Sequence, residues 1–154
     1  TGADLGLWGS AGWRPFAYQE GGFWPGLLRD WAPNYPGQPL LMFLTYAFLH
    51  GGMGHLAGNL LVLAPLGASV GRWLGAGRLL AVCLLSAVGG GLAFGALAPG
   101  PAPMVGASGV AFGLAGAVVA RAAVEGRPGD RSGPWRALAG AAGLAVINAA
   151  MWAS

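Results

Sequence analysis

The chain has 154 residues, 55% of them hydrophobic and only 8% charged, with a mean hydropathy of +0.59. Soluble domains carry roughly 25% charge, so this composition excludes an ordinary water-soluble globule and points to a protein of the bilayer. The eight basic residues are all arginine against five acids, and no basic stripe with interleaved aromatics exists for a nucleic acid to use.

Residue 1 is threonine, and no charged segment with a short apolar core opens the chain, so no signal peptide is visible and the start reads as a cut. Residues 1–50 hold Trp8, Trp13, Trp24 and Trp31 together with Phe16, Tyr18, Phe23 and Tyr35, rings that favour the headgroup level of a membrane. Leu40–Leu49 is apolar but about half the ~20 residues a crossing needs. The stretch therefore reads as an interfacial, partly helical loop.

Met53 to about Gly71 forms the first expected span, bounded by Arg72, with Pro65 as a tolerated kink. From Leu79 to Ala120 the chain runs 42 residues without a charge, about twice the ~20 that one helix needs to cross, so it must fold back once. Pro99-Gly100-Pro101-Ala102-Pro103 marks the break, because three prolines remove donors and fix the backbone. Spans over 79–97 and 107–124 follow, and Trp135–Trp152 is a fourth. The fold class is thus all-α, a multi-pass membrane bundle of four transmembrane helices (51–154) preceded by the loop 1–50. Six of the eight arginines, Arg72, Arg78, Arg121, Arg127, Arg131 and Arg136, fall on one face, the cytoplasmic one by the positive-inside rule. Gly91 with Gly95, and Gly109 with Gly113, have the spacing that lets helix backbones approach. Cys83, the single cysteine, lies in an apolar run as a small core residue and excludes an internal disulfide.

Polar groups inside membrane helices are costly and mark function by default. His55 and Asn59 are four apart and share one face of the first span, with His50 at its mouth; Gly106-Ala107-Ser108-Gly109 opens the third. Both sets fall at the non-cytoplasmic ends of their helices and so meet at similar depth. A serine flanked by glycines suits nucleophilic attack, since a carbonyl can approach and the serine N–H is free to hold an oxyanion; the same tetrapeptide also suits a helix N-cap. His55 and Asn59 can donate to that oxyanion or serve as structural glue. His50 and His55 lie roughly 140° apart on an ideal helix, unlike an i, i+4 zinc pair, so no metal or other cofactor is expected. No lysine exists and no acid lies in a span. The base for Ser108 is then His50, His55 or a residue beyond Ser154.

The run HGGMGHLAGN, His50-x4-His55-x3-Asn59, followed about fifty residues later by Gly106-Ala107-Ser108-Gly109 and with GRWLGAGR between, resembles the rhomboid family of intramembrane serine proteases over about residues 38–152. That resemblance implies a site open to the non-cytoplasmic side of a bacterial-type inner membrane, acting on transmembrane protein substrates. It implies Ser108 as nucleophile and an oxyanion hole of the Ser108 amide, His55 and Asn59. His50, Gly106, Gly109 and Phe112 would line the site. The four spans match the second to fifth family helices; the family's first helix and its sixth, which carries the base histidine, are not in the sequence, so the chain by itself is expected to be inactive. The family's Trp-Arg pair in the first loop is replaced by Leu41-Met42. A non-catalytic relative that binds transmembrane clients is the alternative, and a channel is disfavoured because the polar groups cluster at one end only.

Overall fold

The computed structural model describes Ser10, residues 12–98 and 100–125, and Ala142; the expected span over 135–152 otherwise lies outside the described residues. The described chain is helical, its only β pairing an isolated antiparallel bridge. Helix α1 spans Trp13–Gly21, α2 Gln38–Thr45, α3 Met53–Leu74, α4 Ala76–Leu97 and α5 Ser108–Glu125, with short 3₁₀ turns at Pro25–Leu28 and Tyr46–Phe48.

Helices α3 and α4 are each 22 residues long and apolar enough to cross a membrane. Their leucines stay outward: Leu61 is 76% and Leu85 72% exposed, which a core helix of a soluble protein would not allow but lipid contact does. The two helices run closer together than hydropathy suggests. Gly75 alone joins them, at φ 81, where the Gly71 carbonyl accepts its N–H; a left-handed residue of this kind is readily glycine. Arg72 and Arg78 consequently sit on helix ends rather than in a loop. The apolar part of α5, Ser108–Ala122, covers roughly 22 Å at 1.5 Å per residue, so two of the four expected spans reach full crossing length among the described residues.

Helices α3, α4 and α5 pack on one another. The Arg121 guanidinium lies 5.4 Å over the Trp73 ring and pairs with Glu125 at 2.7 Å, joining the C-terminal ends of α3 and α5. The N-terminal ends of these two helices therefore share the opposite end of the bundle. On α5, a side chain at Gly109 would meet the Gly90 backbone and one at Gly113 would strike Ser86, so this glycine pair lets α5 close on α4. Gly91 and Gly95 act differently: they seat the Phe23 ring, with Phe43 and Leu28 beside it, rather than another membrane helix.

The N-terminal segment has a core of its own. Phe23, Met42 and Tyr46 are fully buried, and Phe23 meets Phe43 edge-on at 4.9 Å. Gln38 is buried too, and it is satisfied: its Oε1 accepts the Asn34 N–H and its Nε2 donates to the Gln19 carbonyl, both at 2.7 Å. Thr45 Oγ1 donates to the Gly21 carbonyl at 2.7 Å and Tyr35 to that of Glu20 at 2.8 Å. Trp13 and Phe16 on α1 remain exposed, an aromatic surface suited to headgroups.

Candidate active site

The loop before α5 is held from two sides. Phe23 and Met104 exchange both backbone hydrogen bonds (3.0 and 2.9 Å), and the Gly106 N–H donates to the Tyr46 carbonyl at 2.9 Å. Gly106 is buried with φ 118, a region closed to residues with a Cβ. The reason lies across the interface. A Cβ on Gly106 would come 2.6 Å from His55 Nε2 and 3.6 Å from Asn59 Nδ2. The loop thus lays bare backbone against the polar face of α3, and Ser108 follows two residues later as the first residue of α5, partly buried.

On α3, His55 Nδ1 accepts the Gly51 N–H at 3.2 Å. A neutral ring with Nδ1 as acceptor carries its proton on Nε2, and that Nε2 is buried without a hydrogen-bond partner on the side facing Gly106. Asn59, 7% exposed, donates Nδ2 to the His55 carbonyl at 3.0 Å and keeps its second N–H. The His50 ring stands edge-on to His55 at 5.3 Å. The His50 carbonyl accepts from Tyr18 at 3.0 Å and that of Gly51 from Arg14 at 2.7 Å, so α1 braces the mouth of α3. A cavity of about 520 Å³ opens beside these groups, with Asn59, His50 and Ala107 in its wall and Leu56, Leu60 and Leu63 along its apolar side.

The structure therefore brings Gly106, His55 and Asn59 into contact, with His50 adjoining. Gly109 turns instead toward α4, and Phe112 is partly buried one turn below Ser108. Among the described residues neither imidazole hydrogen-bonds to the Ser108 hydroxyl, and no three metal-ligating side chains come together. Tyr46, Phe23 and Met104, which fix the loop, gave no signal in the sequence beyond being apolar or aromatic.

A protein-family model described as Rhomboid domain matches residues 38–152. The chain belongs to the rhomboid family. Rhomboid protease GluP of Bacillus subtilis (strain 168) is 41% identical to this rhomboid over 76 residues, 49% of the chain. The chain spans about 15% of the length of that curated relative. No solved structure matches it. The family assignment and the exposed apolar helices make this rhomboid a membrane protein of an intramembrane protease family.

Burial pushes the His50 imidazole below its ordinary 6.5, the neighbouring His55 adds to the effect, and the Phe48 carbonyl opposes it. A histidine held neutral in the folded state takes up its proton more readily when unfolded, so its stabilising share is complete above pH ~6.5 and declines as pH falls from there toward the depressed folded value. Melting of the rhomboid in detergent between about pH 8 and 5 should show Tm falling below roughly 6.5, and His50→Gln should remove that part of the decline.

Proposed function

We propose that the full-length protein is a serine endopeptidase that cleaves transmembrane segments of other membrane proteins, with Ser108 as nucleophile. Ser108 Oγ attacks the scissile carbonyl and gives its proton to a base. The oxyanion is held by the Ser108 N–H, His55 Nε2–H and the free Asn59 N–H; its collapse breaks the scissile C–N bond, the leaving amine takes the proton back from the base, and water then hydrolyses the acyl-enzyme to the carboxylic acid and free Ser108. The observation that carries this reading is the buried, partnerless Nε2–H of His55 facing the loop that leads into Ser108. An unpaired buried donor is costly unless something arrives to accept from it, and an oxyanion is such an acceptor. His50, Gly106, Gly109 and Phe112 complete the surroundings.

With both histidines of the chain at the mouth of α3 and neither bonded to Ser108, the base is assigned to a histidine outside these 154 residues, and the chain alone is expected to be inactive. In this reading residues 1–50 are the interfacial loop and 51–154 a partial rhomboid membrane domain of four spans. The site opens on the non-cytoplasmic side of a bacterial-type inner membrane, with the arginine-bearing helix ends in the cytoplasm.

A non-catalytic rhomboid that binds transmembrane clients is the second reading, favoured by the lack of a histidine on Ser108. A fluorophosphonate probe separates the two, since it phosphonylates only an activated serine. In membranes holding the full-length protein the probe should add to Ser108, read by mass spectrometry of the Ser108 peptide. An unlabelled Ser108 in folded protein that still co-purifies with transmembrane clients would overturn the protease reading in favour of the second.

A further inference from the structure

Tyr46 touches three parts of the bundle at once. Its carbonyl accepts the Gly106 N–H at 2.9 Å, and its hydroxyl donates to the Ala87 carbonyl of α4 at 2.9 Å. The ring is fully buried against Phe23. The hydroxyl lies in a slot between two helices that only glycines leave open: a Cβ on Gly90 would come 2.9 Å from Tyr46 Oη and one on Gly109 2.8 Å. Burial also raises the phenol to about 12, so it remains a donor at any working pH.

We infer that Tyr46 is the positioning residue of the Ser108 loop, its hydroxyl anchored to α4 and its backbone holding Gly106 at the depth where His55 faces it. The inference rests on the reading of Ser108 as nucleophile. The hydroxyl sets where the 3₁₀ turn sits relative to α4, and the turn sets where Gly106 sits relative to α3. Loss of the hydroxyl frees the turn to shift while leaving the ring packing and the Gly106 bond intact. Misplacement of reacting groups by about 1 Å costs about 10²-fold in rate.

The test uses the full-length protein in liposomes with a single-span reporter. Tyr46→Phe is expected to lower kcat roughly ten- to hundredfold and to slow phosphonylation of Ser108, with KM and Tm little changed. Gly90→Ala, which keeps the ring and presses on the same hydroxyl, should lower kcat similarly. In the Tyr46→Phe background it should cost clearly less than in the wild type, because the hydroxyl it presses on is gone and only its 3.3 Å approach to the Gly109 Cα remains. Wild-type kcat in Tyr46→Phe, a kcat loss that follows the loss of folded protein, or independent losses in the double variant would each overturn the inference. If Tyr46→Phe fails to fold, Gly90→Ala decides: a lowered kcat at unchanged KM supports the assignment and a normal kcat ends it. Retained cleavage in Ser108→Ala would instead sink the reading of Ser108 as nucleophile on which the inference rests, so the two failures are distinguishable.

Discussion

Ser108→Ala in the full-length protein is expected to abolish cleavage of a transmembrane reporter, a loss on the order of 10⁶ when a serine nucleophile acts as one unit with its base. The fold should be indifferent to the change. Ser108 is partly buried at the start of α5 and no side-chain hydrogen bond reaches its hydroxyl among the described residues, so a surface-like effect within about ±0.5 kcal/mol is expected on stability. The nearby hydroxyl of Ser86 is no substitute, since it is wedged against Gly113, more than a turn further along α5. Removing one oxyanion donor should cost less: His55→Ala or Asn59→Ala each roughly 10²–10³ in kcat. The measurement is reporter cleavage per folded enzyme, and undiminished cleavage by Ser108→Ala refutes the assignment.

The bundle and the meeting of its two polar sets were legible because both depend on signals that repeat along the chain. A chargeless run of 42 residues interrupted by prolines dictates a hairpin, and alternation of direction then puts His55, Asn59 and the Gly106–Gly109 segment at one end. The structure has the same polarity, with Arg121 over Trp73 at the other end. What sequence reasoning missed are contacts between segments far apart in the chain. The Phe23–Met104 bridge joins residues whose separation leaves no periodicity. Gly91 and Gly95 have helix–helix spacing, yet spacing shows only that a surface is concave, and here an aromatic ring fills it. Composition likewise hid the buried Gln38, whose amide is satisfied by backbone groups of Gln19 and Asn34. The N-terminal segment reads as an interfacial loop from its tryptophans; its inner side is a packed core.

Gly106→Ala is expected to cost activity at least as much as removal of one of the proposed oxyanion donors. Two separate penalties act. The backbone at φ 118 is strained for any residue with a Cβ, about 1–3 kcal/mol, and the methyl would stand 2.6 Å from His55 Nε2 and 2.8 Å from its Cε1, so either the ring or the loop must move. In the proposed mechanism each movement separates the donor His55 from the nucleophile Ser108, and a loss of at least about 10²–10³ in kcat follows from the oxyanion contact alone. Gly37→Ala supplies the control, because Gly37 has φ 86 but nothing within 4 Å of its would-be Cβ. That variant should carry the backbone penalty as a lowered Tm with normal turnover per folded molecule. Reporter cleavage and Tm measured on both variants separate strain from displacement of His55. Normal turnover in a folded Gly106→Ala would mean that the contact between this loop and His55 has no part in the chemistry.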